Sequence, residues 1–198
     1  MSTTESAYWQ GRYEKQKTGW DIGYPSTPLK EYIDQLTDKS LRILIPGAGN
    51  AYDAEYLWQQ GFANTYVLDI APAPLAALKK RVPDFPAEQL MEGDFFTHQG
   101  EYDLIIEQTF FCSFYPKPET RRAYAKKMNE LLSPAGKLAG VWFEIPLVFT
   151  EDKRPYGGDR ELYLSFLVPP LELVLMEPCY NSIKPRRGKE LFGIFRKG

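Results

Sequence analysis

Apolar and polar residues along this chain follow two periods, one typical of buried strands and the other typical of helices. Short apolar runs predict five strands, at 41–46, 65–69, 89–92, 102–106 and 137–144. Between them, apolar residues spaced three or four positions apart predict helices through Leu57, through Leu75 and from Pro118 onward. This alternation is typical of a parallel sheet that is covered by helices on both faces.

The helix that Pro118 opens carries its apolar stripe as far as Leu132. The next four residues, Ser133–Gly136, are rich in turn-forming types. We expect them to end this helix before the following strand begins.

The two ends of the chain depart from the alternation. At the N-terminus a helix carries Tyr8, Trp9 and Tyr13 and stops near Gly19, and a second helix follows Pro28. These helices precede the first strand, so they add a segment to the sheet core rather than connecting strands within it.

Near the C-terminus two strands, at 171–179 and 190–195, are separated only by a basic turn. Strands that are joined without a helix pair antiparallel. We therefore predict an α/β, Rossmann-like fold with a seven-stranded, mostly parallel sheet, one antiparallel C-terminal strand and helices on both faces. Residues 1–198 are expected to form one domain, with N-terminal helices in 1–36 and the sheet core in 41–198.

The composition is that of an ordinary globular protein of 198 residues with a net charge of −2. This charge argues against a nucleic acid partner, and we expect the one basic cluster, Lys184–Lys189, to be a solvated turn. No apolar leader or membrane-length run is visible, which predicts a cytoplasmic protein without a membrane partner. Cys112 and Cys179 lack metal-ligand spacing, so we expect free thiols and no metal site.

The apolar run at 41–46 ends in Gly47-Ala-Gly49, and Asp69 follows at the tip of the second strand. Glycines at such a place let backbone approach a ligand, and an acidic residue at this distance is where a ribose is bound. The third position of the dinucleotide pattern holds Tyr52, whose ring obstructs a pyrophosphate at the helix N-terminus. The pattern favours S-adenosylmethionine, which has a ribose and no phosphate, over a nicotinamide dinucleotide.

Several linked motifs carry a resemblance that covers nearly the whole chain. They are Tyr8–Tyr13 with Thr18–Asp21, Pro46–Asn50, Gly93–Phe96 and Glu107–Cys112. With the C-terminal hairpin they resemble the class I S-adenosylmethionine-dependent methyltransferase fold, and more specifically the thiopurine S-methyltransferase superfamily. Within that superfamily, the last two of these motifs, Gly93–Phe96 and Glu107–Cys112, are similar to those of the halide and thiol methyltransferase branch.

The resemblance implies a cofactor site that is closed by an N-terminal helical lid. The cofactor-binding residues that it implies are Trp9, Tyr13, Trp20, Gly47, Gly49, Asp69, Asp94, Phe95 and Glu107. It also implies an acceptor pocket lined by Gln108, Phe111 and Tyr156. Aromatic faces favour a cationic sulfonium, and methyl transfer by in-line displacement requires no covalent nucleophile.

The implied activity is methyl transfer from S-adenosylmethionine to a small soft nucleophile, namely a thiol, a thiopurine or a halide, with S-adenosylhomocysteine as product. We expect a monomer that acts on a free small molecule. The residues also leave open a protein that binds the nucleoside as a sensor or scaffold without catalysis, because the same loop serves that role. The single His98 has no serine or cysteine elbow to pair with, which argues against triad hydrolysis.

Overall fold

The fold is that of a computed structural model, which describes residues 3–150 and 154–198. The α-helices in this part of the chain are α1 (Thr3–Glu14), α2 (Thr27–Asp34), α3 (Tyr52–Gln59), α4 (Pro72–Arg81), α5 (Pro118–Leu131) and α6 (Arg160–Leu167). The strands are β1 (Ile43–Pro46), β2 (Thr65–Asp69), β3 (Leu90–Glu92), β4 (Tyr102–Gln108), β5 (Leu132–Phe143), β6 (Leu171–Pro178) and β7 (Glu190–Lys197). Short 3₁₀ turns lie at 87–89, 111–113 and 184–186.

Local sequence explains where most of the helices begin. Helices α2, α4 and α5 each have a proline in the first two positions, namely Pro28, Pro72 and Pro118. Proline is tolerated there because its missing N–H would have no partner within the helix. Helix α6 is instead capped by Asp159, the residue before it, whose side chain accepts the amide hydrogen of Leu162 at 2.8 Å.

All seven strands form one sheet in the order β3-β2-β1-β4-β5-β7-β6. Strands β1 to β5 pair in parallel, whereas β7 is antiparallel to both of its neighbours. Strand β6 therefore runs with the first five, and β7 is the reversed strand. The predicted mostly parallel sheet is confirmed. The strand order reverses between β1 and β4, and ligands of open α/β sheets bind beside such a point.

Core packing on both faces of the sheet fixes the position of β1. Ile43 and Ile45 belong to the apolar cluster that includes Leu57 of α3, and Leu44 belongs to the opposite cluster with Met128 of α5. All four residues of β1 are buried, as is typical of a central parallel strand. The carboxyl end of this strand is consequently a rigid base for the loop that follows it.

Ser133–Gly136, which were expected to form a turn that ends α5, lie within a strand instead. Helix α5 ends at Leu131, and β5 begins directly at Leu132. Ser133–Gly136 then bulge within the strand, where the register between β4 and β5 shifts. The Ser133 hydroxyl donates to Asp103 Oδ1 at 3.0 Å, and this contact holds the bulge against β4.

The first helix is shorter than predicted, since α1 ends at Glu14. The chain from 15 to 26 reaches α2 without further helix. In the part of the chain that the structure describes, no helix is long and apolar enough to cross a bilayer.

Candidate active site

A cavity of about 540 Å³ lies at the carboxyl edge of the sheet, beside the point where the strand order reverses. We call its base the strand-end half, which comprises residues 47–53, 68–70, 93, 95, 108–110 and 112–114. We call its cover the covering half, which comprises residues 3–26, that is α1 and the chain leading to α2. The side of the cavity is completed by residues 143, 154–155 and 185–186.

The loop after β1 is built on left-handed glycines. Gly47 has φ +58° and Gly49 has φ +54°, a region that side chains disfavour. A Cβ at Gly47 would lie 2.0 Å from Cδ2 of Phe110, and one at Gly49 would lie 3.2 Å from the Tyr13 hydroxyl. Gly47 is therefore required both by the turn and by the ring that packs on it.

Asp69 ends β2 and points its carboxylate at the glycine loop. Its Oδ2 accepts the amide hydrogen of Gly49 at 3.0 Å, and its Oδ1 accepts that of Ala71 at 2.9 Å. Burial raises the pKa of Asp69 to about 6, so the group is largely ionised at neutral pH. The two amides fix the orientation of the carboxylate and leave acceptor capacity on both oxygens, which suits the vicinal hydroxyls of a ribose.

The turn after β4 is held by a buried carboxyl group. Glu107 is fully buried, and its Oε1 accepts the amide hydrogens of Phe110 and Phe111, the latter at 2.9 Å. Burial raises the pKa of Glu107 to about 8, so this group is mostly protonated at neutral pH. Glu107 thus stabilises the turn that presents Gln108 and Thr109, the latter at φ +54°, to the cavity.

Aromatic rings of the covering half close the cavity. The ring centroids of Trp9 and Trp20 lie 5.5 Å apart and those of Tyr13 and Trp20 lie 5.8 Å apart, both edge to face. Such pairs stabilise a defined arrangement of rings beyond their burial alone. The covering half is joined to the glycine loop by the Asn50 amide, which donates to the carboxylate of Asp21.

Arg154 joins the covering half to the turn after β4. Its Nε donates to the carbonyl of Ser113 at 2.7 Å, and its Nη2 donates to Glu5 Oε1 at 3.1 Å. The guanidinium also lies over the ring of Tyr8, 4.5 Å from the centroid. The position of α1 over the cavity thus depends on a residue from the other end of the chain.

Arg186 makes a second tie of the same kind. Its Nη2 donates to the carbonyl of Trp20 at 2.6 Å, and its Nη1 contacts Glu190 Oε1 at 3.3 Å. The prediction that Lys184–Lys189 is a solvated turn is wrong at this position, because Arg186 is only 9% exposed. Its two buried acceptors explain why this one residue of the basic cluster points inward.

The structure brings most of the predicted site residues together. Those on the cavity wall are Trp9, Tyr13, Trp20, Gly47, Gly49, Asp69, Phe95 and Gln108. The remaining four, Asp94, Glu107, Phe111 and Tyr156, do not line the wall.

Contacts with neighbouring residues explain why these four side chains do not line the cavity wall. The 3₁₀ turn at 111–113 directs Phe110 into the cavity and Phe111 into the core, where its ring packs edge to face on Tyr124. Tyr156 is 1% exposed, and its amide donates to the carbonyl of Cys112 at 2.8 Å. Phe111 and Tyr156 were expected to line the acceptor pocket, but they are buried and pack behind the cavity wall. Asp94 accepts the amide hydrogen of Phe96 at 2.9 Å, as Glu107 accepts those of its own turn.

Sequence reasoning missed several charged residues on the wall, among them Asp53, Arg154 and Arg186. Arg154 lies two residues before Tyr156, and Arg186 lies inside the basic cluster, so each had a weak signal. Asp53 follows Tyr52 in the first turn of α3 and had none. Within the described residues, no group of three or more histidine, cysteine or acidic side chains is arranged to hold a metal ion.

Comparison with known protein families identifies the family to which this chain belongs. The family model of thiopurine S-methyltransferase matches residues 4–145, which include the covering half and every strand-end loop. The chain belongs to the thiopurine S-methyltransferase family. Similar proteins include the probable thiol methyltransferase 2 of Arabidopsis thaliana, 29% identical over 100% of this chain and 88% of that protein. Thiocyanate methyltransferase 1 of Arabidopsis thaliana is 30% identical over 98% of this chain and 86% of that protein.

Solved structures show the same fold. A Burkholderia thailandensis 1,6-didemethyltoxoflavin-N1-methyltransferase with bound S-adenosylhomocysteine superposes with TM-score 0.76 at 18% identity, covering 97% of this chain and 86% of that one. A TehB-like methyltransferase from Corynebacterium glutamicum superposes with TM-score 0.64 at 18% identity, covering 100% of both chains. The predicted class I methyltransferase fold is confirmed.

Proposed function

We propose that this chain transfers a methyl group from S-adenosylmethionine to a small soft nucleophile, namely a thiol, a thiopurine or a halide. The observation that carries the proposal is the cavity at the switch point, with the Asp69 carboxylate on one wall and aromatic rings above it. Membership of the thiopurine S-methyltransferase family supports it. Two relatives are named for thiol and thiocyanate acceptors, and these names support a small sulfur nucleophile as the acceptor.

The cavity fits the proposed cofactor in size and in chemistry. Its volume of about 540 Å³ lies within the range of about 300–1,000 Å³ for small-molecule sites. We assign the ribose hydroxyls to Asp69, the adenine to the wall around Phe95, and the sulfonium to the faces of Trp9 and Trp20. When bound, S-adenosylmethionine supplies a methyl group on a positively charged sulfur.

The acceptor end combines aromatic rings with two guanidinium groups, each of which is paired with a carboxylate. Phe110, Phe114 and Phe143 line it together with Arg154 and Arg186. Rings exclude water from an entering nucleophile, and a soft, weakly hydrated acceptor loses its water at little cost. Gln108 at the end of β4 adds a neutral polar group to the cavity wall.

These residues act by positioning rather than by covalent chemistry. The acceptor's lone pair forms the bond to the methyl carbon while the bond from that carbon to sulfur breaks, and the electron pair stays on sulfur. An acceptor that enters as an anion needs no proton removed, so the chain is required only to align the three atoms and exclude water. We assign no catalytic base and no nucleophile.

Transfer of a labelled methyl group to a panel of acceptors tests this function. The panel contains iodide, thiocyanate, bisulfide, a small organic thiol and a thiopurine. We expect at least one to be methylated, with one S-adenosylhomocysteine formed for each methyl transferred, and we expect Asp69→Asn to reduce the rate. Tight binding of S-adenosylmethionine without transfer to any member would contradict catalysis and favour the sensor or scaffold alternative.

We propose further that the chain works as a cytoplasmic monomer on free small molecules. Its net charge of −2 supports the absence of a nucleic acid partner. Light scattering on the purified protein measures the mass directly, and a value near twice 22.8 kDa would contradict the monomer.

A further inference from the structure

Four carboxylates with described side chains line the cavity, namely Glu5, Asp21, Asp53 and Asp69. Three of them have both oxygens engaged by the protein. Glu5 is paired with Arg154, Asp21 accepts from the Gly23 amide and the Asn50 side chain, and Asp69 accepts from two backbone amides. The fourth carboxylate, Asp53, is different.

Asp53 keeps one oxygen open toward the cavity. It lies in the first turn of α3 and is 7% exposed. Its Oδ1 accepts the amide hydrogen of Ser26 at 3.1 Å, and no other residue in the described part of the chain donates a hydrogen bond to Oδ2. Burial without a strong partner raises the pKa of Asp53 to about 7. A buried carboxylate in this condition is stabilised by any ligand that brings a donor or a positive charge.

Arg186, the cation whose charge acts on Asp53, does not serve this purpose. Arg186 lies close enough to favour the ionised form of Asp53, but its guanidinium hydrogens go to Glu190 and to the carbonyl of Trp20. The open oxygen of Asp53 is therefore available to a donor that enters the cavity with a ligand.

We infer that Asp53 binds the ammonium group at the amino-acid end of S-adenosylmethionine. The inference rests on the proposed function. Helix α3 begins at Tyr52, three residues after Gly49, and Asp53 therefore lines the cavity beside the glycine loop, whose Gly49 amide donates to Asp69, the residue assigned to the ribose. The cofactor carries two cationic groups, a sulfonium and an ammonium. An open carboxylate oxygen accepts hydrogen bonds, and of these two cations only the ammonium has N–H groups to donate.

Calorimetric titration with three ligands isolates this contact. S-adenosylmethionine has both cations, S-adenosylhomocysteine has only the ammonium, and methylthioadenosine has neither. In Asp53→Asn the side chain keeps an oxygen for the Ser26 amide and loses its charge. We expect this variant to bind the first two ligands about 10- to 100-fold more weakly, with less than about a twofold change for methylthioadenosine.

The Asp69→Asn variant is the matched control, because all three ligands contain the ribose. We expect it to weaken the binding of all three by similar factors. The inference would be overturned if Asp53→Asn left S-adenosylhomocysteine binding unchanged. It would also be overturned by an equal loss for all three ligands, which indicates a structural role, or by a loss for S-adenosylmethionine alone, which indicates a sulfonium contact. A wild-type protein that binds none of the three would overturn the proposed function itself and the inference with it.

Discussion

The two halves of the cavity are held in place by different kinds of interaction. The strand-end half sits on the carboxyl edge of a sheet that is packed on both faces, and backbone amides orient its main carboxylate, Asp69. The covering half is held by side chains from distant parts of the chain. Glu5 and Arg154 are 149 positions apart, and Trp20 and Arg186 are 166 positions apart. The first half is fixed by folding of the core, whereas the second closes over it through a few replaceable contacts.

The largest effect is expected from a change that breaks the strand-end half. Gly47→Ala places a methyl group against Phe110 at 2.0 Å in a backbone with φ +58°. We expect the free energy of unfolding to fall by about 3–5 kcal/mol, the sum of backbone strain and overpacking. Gly61→Ala is the matched control, since φ there is +85° but no atom lies within 4 Å of the new Cβ. It should lose only about 1 kcal/mol, as measured by urea denaturation, and equal losses would contradict the packing role of Gly47.

A second change breaks the tie between the covering half and β7. Arg186→Met leaves Glu190, whose side chain is 2% exposed, as a buried charge without its partner. We expect a loss of about 3 kcal/mol in unfolding free energy. Replacing both residues, as Arg186→Met with Glu190→Gln, removes the uncompensated charge and should recover at least half of this loss. If the double variant is no more stable than the single one, the ion pair is not what holds Arg186.

Removing most of the covering half tests whether it contributes to cofactor binding while the sheet stays folded. Deletion of residues 1–20 takes away Trp9, Tyr13 and Trp20 but no strand. We expect S-adenosylmethionine affinity to fall about 100-fold, because two or three ring contacts with the cation are lost. Circular dichroism should show the sheet still folded. The intact chain with Arg154→Met should give an intermediate loss, and unchanged affinity in the deleted chain would refute the covering role.

The smallest expected effect is a pH dependence that belongs to the strand-end half. The pKa of Asp69 is raised by burial to about 6, so its carboxylate takes up a proton as the pH falls through that value. Binding of methylthioadenosine should be about tenfold weaker at pH 5 than at pH 7.5, since only the ionised group accepts from both ribose hydroxyls. The sign is opposite for folding: a pKa above its unfolded value makes the same protonation favour the folded protein. Asp69→Asn should give weaker but pH-independent binding over this range, and a slope that persists in the variant would assign the titration to another group.

The difference between the halves also explains how far the sequence could predict the site. The strand ends depend on local periodicity and on the short spacing from Gly49 to Asp69, and both were visible in the sequence. Which of Phe110 and Phe111 faces the cavity depends on a single 3₁₀ turn, which carries no periodic signal. The inward position of Arg186 depends on acceptors that only the folded chain brings near it. Contacts between distant side chains are therefore what the sequence pattern left out.

The structure of the complex with S-adenosylhomocysteine tests the account most directly, because it shows whether both halves enclose one molecule. We predict the two ribose hydroxyls within about 2.5–3.0 Å of the Asp69 carboxylate, with the rings of Trp9 and Trp20 above the nucleoside. A nucleoside bound away from Asp69, or one that leaves the covering half without contact, would contradict it.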